Sequence, residues 1–87
     1  MRKVIAAQAN DDYRLELTFN DGACKRFEMK PYLGIGVFQE LRDLAYFKQL
    51  RLAFGTVQWP NEQDISPDTL YLEGVPLEDV SREKAAA

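Results

Sequence analysis

The sequence predicts a small α+β domain: an antiparallel sheet, made of a β-meander and then two further strands, with a short helical layer packed on one face. Residues 13–19 alternate apolar and polar side chains with the period of two that strands require, and Phe27 and Met29 continue it after a turn. After Pro31 the apolar spacing becomes helical. Two short strand-like runs then flank Gly55, and a helical turn led by proline follows them.

Composition places the chain among soluble single-domain proteins. It has 87 residues, of which 46% are hydrophobic and 29% charged, and its net charge is −3. We expect one domain over residues 1–80, with a disordered tail over 81–87. No apolar run approaches the roughly 18 residues that span a bilayer, and the N-terminal apolar stretch is too short for a secretory signal. The expected location is therefore cytoplasmic.

The residue inventory argues against catalysis. The chain has no histidine, which removes the usual general base and the commonest metal ligand. Cys24 is the single cysteine, and we interpret it as a small strand residue rather than a nucleophile, although two cations follow it. We predict no enzymatic activity, no cofactor and no metal site.

Three strand-like runs predict the meander: residues 4–9, the alternating residues 13–19, and a return strand that carries Phe27 and Met29. A two-residue turn at Asp21-Gly22 would put the apolar sets of the last two strands on opposite faces. A three-residue loop that includes Asn20 puts both sets on one face and sets Leu15 opposite Phe27. The sequence therefore predicts a type I turn with a G1 bulge, in which Gly22 has a positive φ.

Helices are predicted in two places. One helical face carries five apolar residues: Val37, Phe38, Leu41, Leu44 and Ala45. Asp43 is a candidate N-cap for a second short helix through Gln49. Ser66 and Pro67 predict the cap and first position of a one-turn helix that ends at Tyr71.

Two further strands are predicted over 50–54 and 56–59, with the bend at Gly55. Trp59 is in phase with Val57, so we assign it mainly to the core and regard Tyr32 and Tyr46 as the exposed aromatic residues. Beyond Glu73 the periodicity is lost. The apolar residues there form either an added edge strand or a docking tail: Val75, Leu77 and Val80.

Acidic groups and glycines offer weaker signals. The carboxylates form three groups: Asp11-Asp12, Asp21, and Glu62/Asp64/Asp68. The last group has oxygen ligands that suit Mg²⁺, but the ligand alternation of a calcium loop is missing, so we assign all three to loop solubility and capping. The segment Gly34-Ile35-Gly36 precedes a helix but lacks the third glycine and the lysine of phosphate-binding loops.

An ordered set of motifs spans nearly the whole domain: Tyr13-Arg14-Leu15-x-Leu17-x-Phe19-x-Asp21-Gly22, Phe27-x-Met29 with Pro31, Val37-Phe38-x-x-Leu41-x-Asp43 with Phe47, Gly55-Thr56-Val57-x-Trp59-Pro60-Asn61, Asp64-Ile65, Pro67-Asp68 and Leu70-Tyr71. Together these motifs resemble a family of small bacterial domains, domain-of-unknown-function family 2442. The resemblance implies a small α+β protein without established catalytic residues. It also implies, for some members, a toxin–antitoxin-like pairing with a second small protein.

The predicted function is a non-catalytic, protein-binding module, the antitoxin-like partner of a small neighbouring protein. The alternative is a regulatory protein that contacts nucleic acid through a basic hairpin face of Lys25, Arg26 and Lys30. Exposed sheet edges are expected to recruit a protein by strand addition or to pair two copies of the chain. The candidate partner-binding residues are Lys25, Arg26, Tyr32, Tyr46, Val75 and Leu77.

Overall fold

A computed structural model describes residues 1–77 and places two antiparallel sheets and four short helices there. The strands are Val4–Ala9 (β1), Arg14–Phe19 (β2), Cys24–Glu28 (β3), Arg51–Ala53 (β4), Thr56–Gln58 (β5) and Val75–Pro76 (β6). The helices are the 3-10 helices Lys30–Tyr32 and Gly36–Arg42 and the α-helices Leu44–Phe47 (α1) and Pro67–Glu73 (α2). The larger sheet has the order β1-β2-β3-β6, and the smaller one pairs β4 with β5.

This architecture confirms the α+β class and the opening meander. The two further strands do not join the meander, because they form a sheet of their own. Beyond Glu73, the alternative of an added edge strand is confirmed for residues 75 and 76, which pair with β3. The prediction for Val80, the domain boundary at residue 80 and the tail over 81–87 lie outside the described residues.

The hairpin between β2 and β3 has the predicted register. Leu15 lies opposite Phe27, and Gly22 has a φ of +88°. The Gly22 N–H donates to the Phe19 carbonyl at 2.9 Å, and the Phe19 N–H donates to Ala23 at 2.8 Å. These bonds close a three-residue loop, so the parity argument for a bulged turn is confirmed.

The core lies between the inner face of the larger sheet and the helices with the smaller sheet. Its fully buried large side chains are Trp59, Phe19, Phe27, Phe47, Leu15, Leu17, Met29, Leu41, Leu70 and Val57. The Trp59 ring stacks on Phe47 at 6.0 Å between centroids, and its Nε1 donates to the Phe47 carbonyl at 2.7 Å. The assignment of Trp59 to the core is therefore confirmed.

The first predicted helix is a 3-10 helix, which corrects the predicted buried face. A 3-10 helix has three residues per turn, so Phe38 and Leu41, spaced by three, share its inward face, whereas Leu44 follows the extended Asp43 and begins α1. Leu41 is fully buried and the other two are half-buried, whereas Val37 and Ala45 are exposed. The predicted buried face was wrong because it assumed the 3.6-residue turn of an α-helix.

Both predicted helix caps are confirmed. The Asp43 carboxylate accepts the Ala45 N–H at 3.1 Å, and the Ser66 hydroxyl accepts the Asp68 N–H at 3.2 Å. Pro67 occupies the first position of α2, where its missing N–H removes no helical hydrogen bond. The helix that Asp43 caps ends at Phe47, two residues before the predicted end.

The fourth strand is shorter than predicted, because Phe54 belongs to a turn. Phe54 and Gly55 have φ values of +54° and +77°, which is the pattern of a tight two-residue hairpin. The Phe54 side chain is 92% exposed, and Leu52 on β4 is 45% exposed. The apolar alternation over residues 50–54 therefore does not mark a buried face.

Candidate partner-binding surface

The pairing of β3 with β6 brings four of the six predicted partner-binding residues together. Arg26 lies opposite Val75, and Lys25 lies opposite Pro76. Directly paired residues share a face of the sheet, so Arg26 and Val75 lie on the outer face. Leu77 follows on the same short segment and is half-buried in a cleft over β1 and β2.

Exposed apolar side chains adjoin this segment. Leu72, on the last turn of α2, is 74% exposed, and Val75 is 45% exposed. We define the β6 corner as Arg26, Leu72, Val75 and Leu77. An open cleft of about 540 Å³ lies beside it, lined by Gly22, Ala23, Cys24, Lys25, Tyr71 and Pro76. The corner therefore combines a cation, apolar side chains and a concave surface.

Lys25 is committed to internal contacts. Its Nζ donates to the Tyr71 carbonyl at 2.6 Å and lies 3.8 Å from the centre of the Tyr71 ring. The guanidinium carbon of Arg2 lies at the same distance from that ring. Two cation–π contacts thus hold Tyr71 against the hairpin and the N-terminal segment. Lys25 positions the β6 corner rather than presenting an unoccupied charge.

The two predicted aromatic anchors are half-buried and form internal hydrogen bonds, which corrects their assignment as exposed residues. The Tyr32 hydroxyl donates to Glu73 at the end of α2, and this bond raises the pKa of Tyr32. The Tyr46 hydroxyl donates to Gln63 at 2.8 Å and accepts the Asn61 N–H at 2.9 Å. Tyr32 therefore borders the β6 corner, and Tyr46 belongs to a different network.

That second network accounts for part of the motif around Trp59. The Asn61 side-chain amide donates to the Glu40 carboxylate at 2.7 and 2.8 Å, and Gln63 donates to the same carboxylate at 2.9 Å. The backbone N–H of Trp59 donates to the Gln63 carbonyl at 2.9 Å. These bonds fix a loop against the 3-10 helix, so this part of the motif serves the fold.

Asp21 ties the hairpin turn to α2. Its carboxylate accepts the Ala23 N–H at 2.9 Å and the Tyr71 hydroxyl at 2.9 Å. The backbone bond from Ala23, followed by the Tyr71 bond, lowers the pKa of Asp21. The same contact raises the pKa of Tyr71. Asp21 therefore has a defined structural role in its ionised form.

Replacement of Asp21 by asparagine is expected to make the fold less sensitive to acid. The folded-state pKa of Asp21 lies below its ordinary value of about 3.9. Its ionised form therefore stabilises the fold above the unfolded-state pKa, and this contribution is lost as the pH falls through the folded-state pKa. Urea unfolding of both proteins should show a stability difference at neutral pH that disappears at low pH. Parallel acid dependence in the two proteins would contradict this role.

The geometry of the sheet edges does not favour the addition of a strand from a partner. At the start of β1, the Val4 N–H donates to the Gly55 carbonyl of the β4–β5 turn at 2.9 Å. At its end, Lys48 forms an ion pair with Asp11. The opposite edge is the two-residue strand β6, in which Pro76 has no N–H to offer. Short edges, proline and lysine are common ways of preventing edge pairing.

The other sequence signals are not assembled into a site. Strand alternation places Lys25 and Arg26 on opposite faces of β3, which divides the proposed basic stripe. Asp12 forms an ion pair with Arg14 at 3.0 Å. Within residues 1–77, no three Cys, Asp or Glu residues converge in a way that suits a metal ion. Of the two glycines, Gly34 precedes the 3-10 helix Gly36–Arg42 and Gly36 begins it with a φ of +47°, and no side chain caps this helix start.

Sequence reasoning missed one exposed surface, at the tip of the β4–β5 hairpin. Phe54 was assigned to a strand because apolar residues alternate around it. The overlooked signal was the Phe-Gly pair between two short strands, since a following glycine favours a two-residue turn. In the structure this turn presents an aromatic ring to solvent.

Comparison with known proteins gives a family and no characterised relative. A family model described as "Protein of unknown function (DUF2442)" matches residues 4–76, which is most of the chain. A search of the curated proteins found no match, and a search of the solved structures found none. In the described part of the chain, no helix is both long and apolar enough to cross a membrane.

Proposed function

We propose that this chain, which belongs to that family of proteins of unknown function, is a non-catalytic, cytoplasmic protein-binding module. Its partner is a second small protein, in an antitoxin-like pairing, and the β6 corner is the contact surface. The observation that carries the proposal is the pairing of Arg26 with the exposed Val75, close along the chain to the exposed Leu72 and to Leu77.

The chemistry of the β6 corner suits a protein partner. Exposed apolar side chains contribute to binding when a partner removes them from water, and arginine is frequent among interface residues that dominate affinity. The internal bonds of Lys25 and Tyr32 fix the backbone of the corner before binding. A preformed surface loses less conformational entropy on association.

The test is an affinity purification of the chain from its native host at low and high salt, with mass spectrometry and a nucleic-acid assay on the eluate. We expect a stoichiometric small protein that is retained at high salt. Leu72→Ser and Val75→Ser should each weaken its binding by at least about tenfold, as expected for loss of an interface anchor. Ile35→Ser is the matched control, because Ile35 is 57% exposed and lies outside the corner.

The eluate also tests the alternative. An eluate without a protein partner contradicts the proposal. Nucleic acid that is lost at high salt would favour the basic hairpin, since phosphate contacts weaken steeply with salt. If the corner variants and the control retain the partner equally, the partner binds another surface of the protein.

A further inference from the structure

The outer face of the larger sheet carries a line of small side chains across three strands. Thr18 lies opposite Ala6 of β1 and opposite Cys24 of β3. Its neighbours Leu17 and Phe19 are buried, so alternation along β2 turns Thr18 to the outer face, and its two partners share that face. Ala6 and Cys24 are exposed, and Thr18 is half-buried. We call these three residues the outer row: Ala6, Thr18 and Cys24.

Leu77, the last residue described, already lies over this face. An open cleft of about 310 Å³ is lined by Leu77 and by residues of β1 and β2, with Ala6 and Thr18 among them. Of the described residues in that lining, Leu77 alone comes from outside these two strands. The backbone of Leu77 is helical rather than extended, so it does not continue the pairing of Pro76 with β3. The chain therefore leaves the sheet edge at Pro76 and turns back over the outer face.

The sequence that follows Leu77 suits an amphipathic helix. Residues 78–87 contain one large apolar side chain, Val80. Residues three apart lie on the same side of a helix, so a helical continuation from Leu77 puts Val80 beside it. Glu78 precedes Arg82 by four residues, the spacing and order at which such a pair stabilises a helix. A helix this short is marginal in water by itself, so it needs a surface on which Val80 can pack.

We propose that residues 78–87 lie across the outer face of the larger sheet, with Val80 packed on the outer row. Ten residues with the helical rise of about 1.5 Å span about 15 Å. The three strand spacings from β6 to β1 amount to about 14 Å, so the segment is long enough to cover the row. Because the segment is joined to Leu77, the contact is intramolecular, and a high effective concentration lets a small interface form.

The thiol of Cys24 is a built-in probe of this cover. Pro76 lies opposite Lys25, so the covering segment starts beside Cys24, the preceding residue of β3. A covered thiol reacts only when the segment lifts, and its reaction rate follows the population of that open state. The measurement needs the purified chain alone. The inference therefore stands independently of the proposed function, although Leu77 belongs to both surfaces.

The first experiment measures the rate at which a neutral maleimide modifies Cys24 in the full chain, in Val80→Asn and in Asp79→Asn. The control introduces the same residue at the neighbouring position, which points away from the sheet in a helix that packs through Val80. We expect Val80→Asn to react about tenfold faster than wild type, the effect of losing one buried valine, and Asp79→Asn to react as wild type does. Unchanged fluorescence of Trp59 in all three proteins shows that the core is intact.

The second experiment changes the sheet side of the contact. Ala6→Glu places a charge in the outer row, and the core should tolerate it because Ala6 is exposed. We expect the same acceleration at Cys24. A wild-type rate equal to that of Cys24 in a short unfolded peptide, equal rates in Val80→Asn and Asp79→Asn, or an unchanged rate in Ala6→Glu would overturn the proposal. A wild-type rate that falls as the protein concentration rises would also overturn it, in favour of a second copy on this face.

Discussion

Replacement of Trp59 by alanine is expected to lower the free energy of unfolding by about 3–5 kcal/mol. The ring is fully buried and stacks on Phe47, and its N–H satisfies the Phe47 carbonyl at the end of α1. Alanine would leave a large cavity and an unpaired buried carbonyl. Since small domains are stable by only about 5–15 kcal/mol, a substantial fraction of this variant should unfold near physiological temperature.

Urea unfolding followed by far-ultraviolet circular dichroism measures the effect, because the variant has lost the only tryptophan fluorophore. Trp59→Phe is the control: it retains an aromatic ring against Phe47 but removes the N–H donor. Its loss of stability should be smaller than that of alanine and still measurable. A midpoint for Trp59→Ala within experimental error of wild type would refute the central place of this ring in the core.

Replacement of Gly74 by alanine is expected to cost about 1–3 kcal/mol, the usual range for overpacking. A β-carbon there would lie 2.6 Å from the Leu70 carbonyl oxygen and 3.1 Å from Cβ of Lys25. The Gly74 N–H also donates to that carbonyl at 3.1 Å. The end of α2 must therefore shift, and β6 with it, so binding at the β6 corner should weaken as well.

Gly34→Ala is the matched control for this substitution. No atom lies within 4 Å of a β-carbon at position 34, and its φ is not in the left-handed region. We expect this variant to be as stable as wild type or slightly more stable, because alanine restricts the unfolded chain. Thermal unfolding of both variants in parallel measures the difference. Equal midpoints would contradict a steric role for Gly74.

The features predicted correctly from sequence depend on local rules with few solutions. The hairpin register followed from parity, because a shift of one residue would turn the apolar side chains of a strand outward. The caps at Asp43 and Ser66 followed from the ability of short polar side chains to accept a backbone N–H. These interactions involve residues close in sequence, so their outcome needs no knowledge of distant contacts.

The features predicted wrongly depend on distant contacts or on similar periods. Three-residue and 3.6-residue periods differ little over two turns, so the spacing of Phe38 and Leu41 suited both kinds of helix. Tyr32 and Tyr46 were expected at the surface, and their hydroxyls instead bond Glu73 and Gln63, which lie far along the chain. Of the β6 corner, the sequence identified Arg26, Val75 and Leu77 but not Leu72, and it did not predict the exposure of Phe54 at the β4–β5 turn.

The hydrogen bond between Val4 and Gly55 also bears on aggregation. The β1 segment Val-Ile-Ala-Ala-Gln-Ala contains neither a charged residue nor a proline, and such a segment favours cross-β stacking when its edge is open. The hairpin that is bonded to the start of this edge belongs to a different, two-stranded sheet, and small hairpins open more readily than a core. We therefore expect fibril formation by the native chain to depend on local opening of β4 and β5 as well as on global unfolding, and deletion of the hairpin contact should speed it in a fluorescent-dye binding assay.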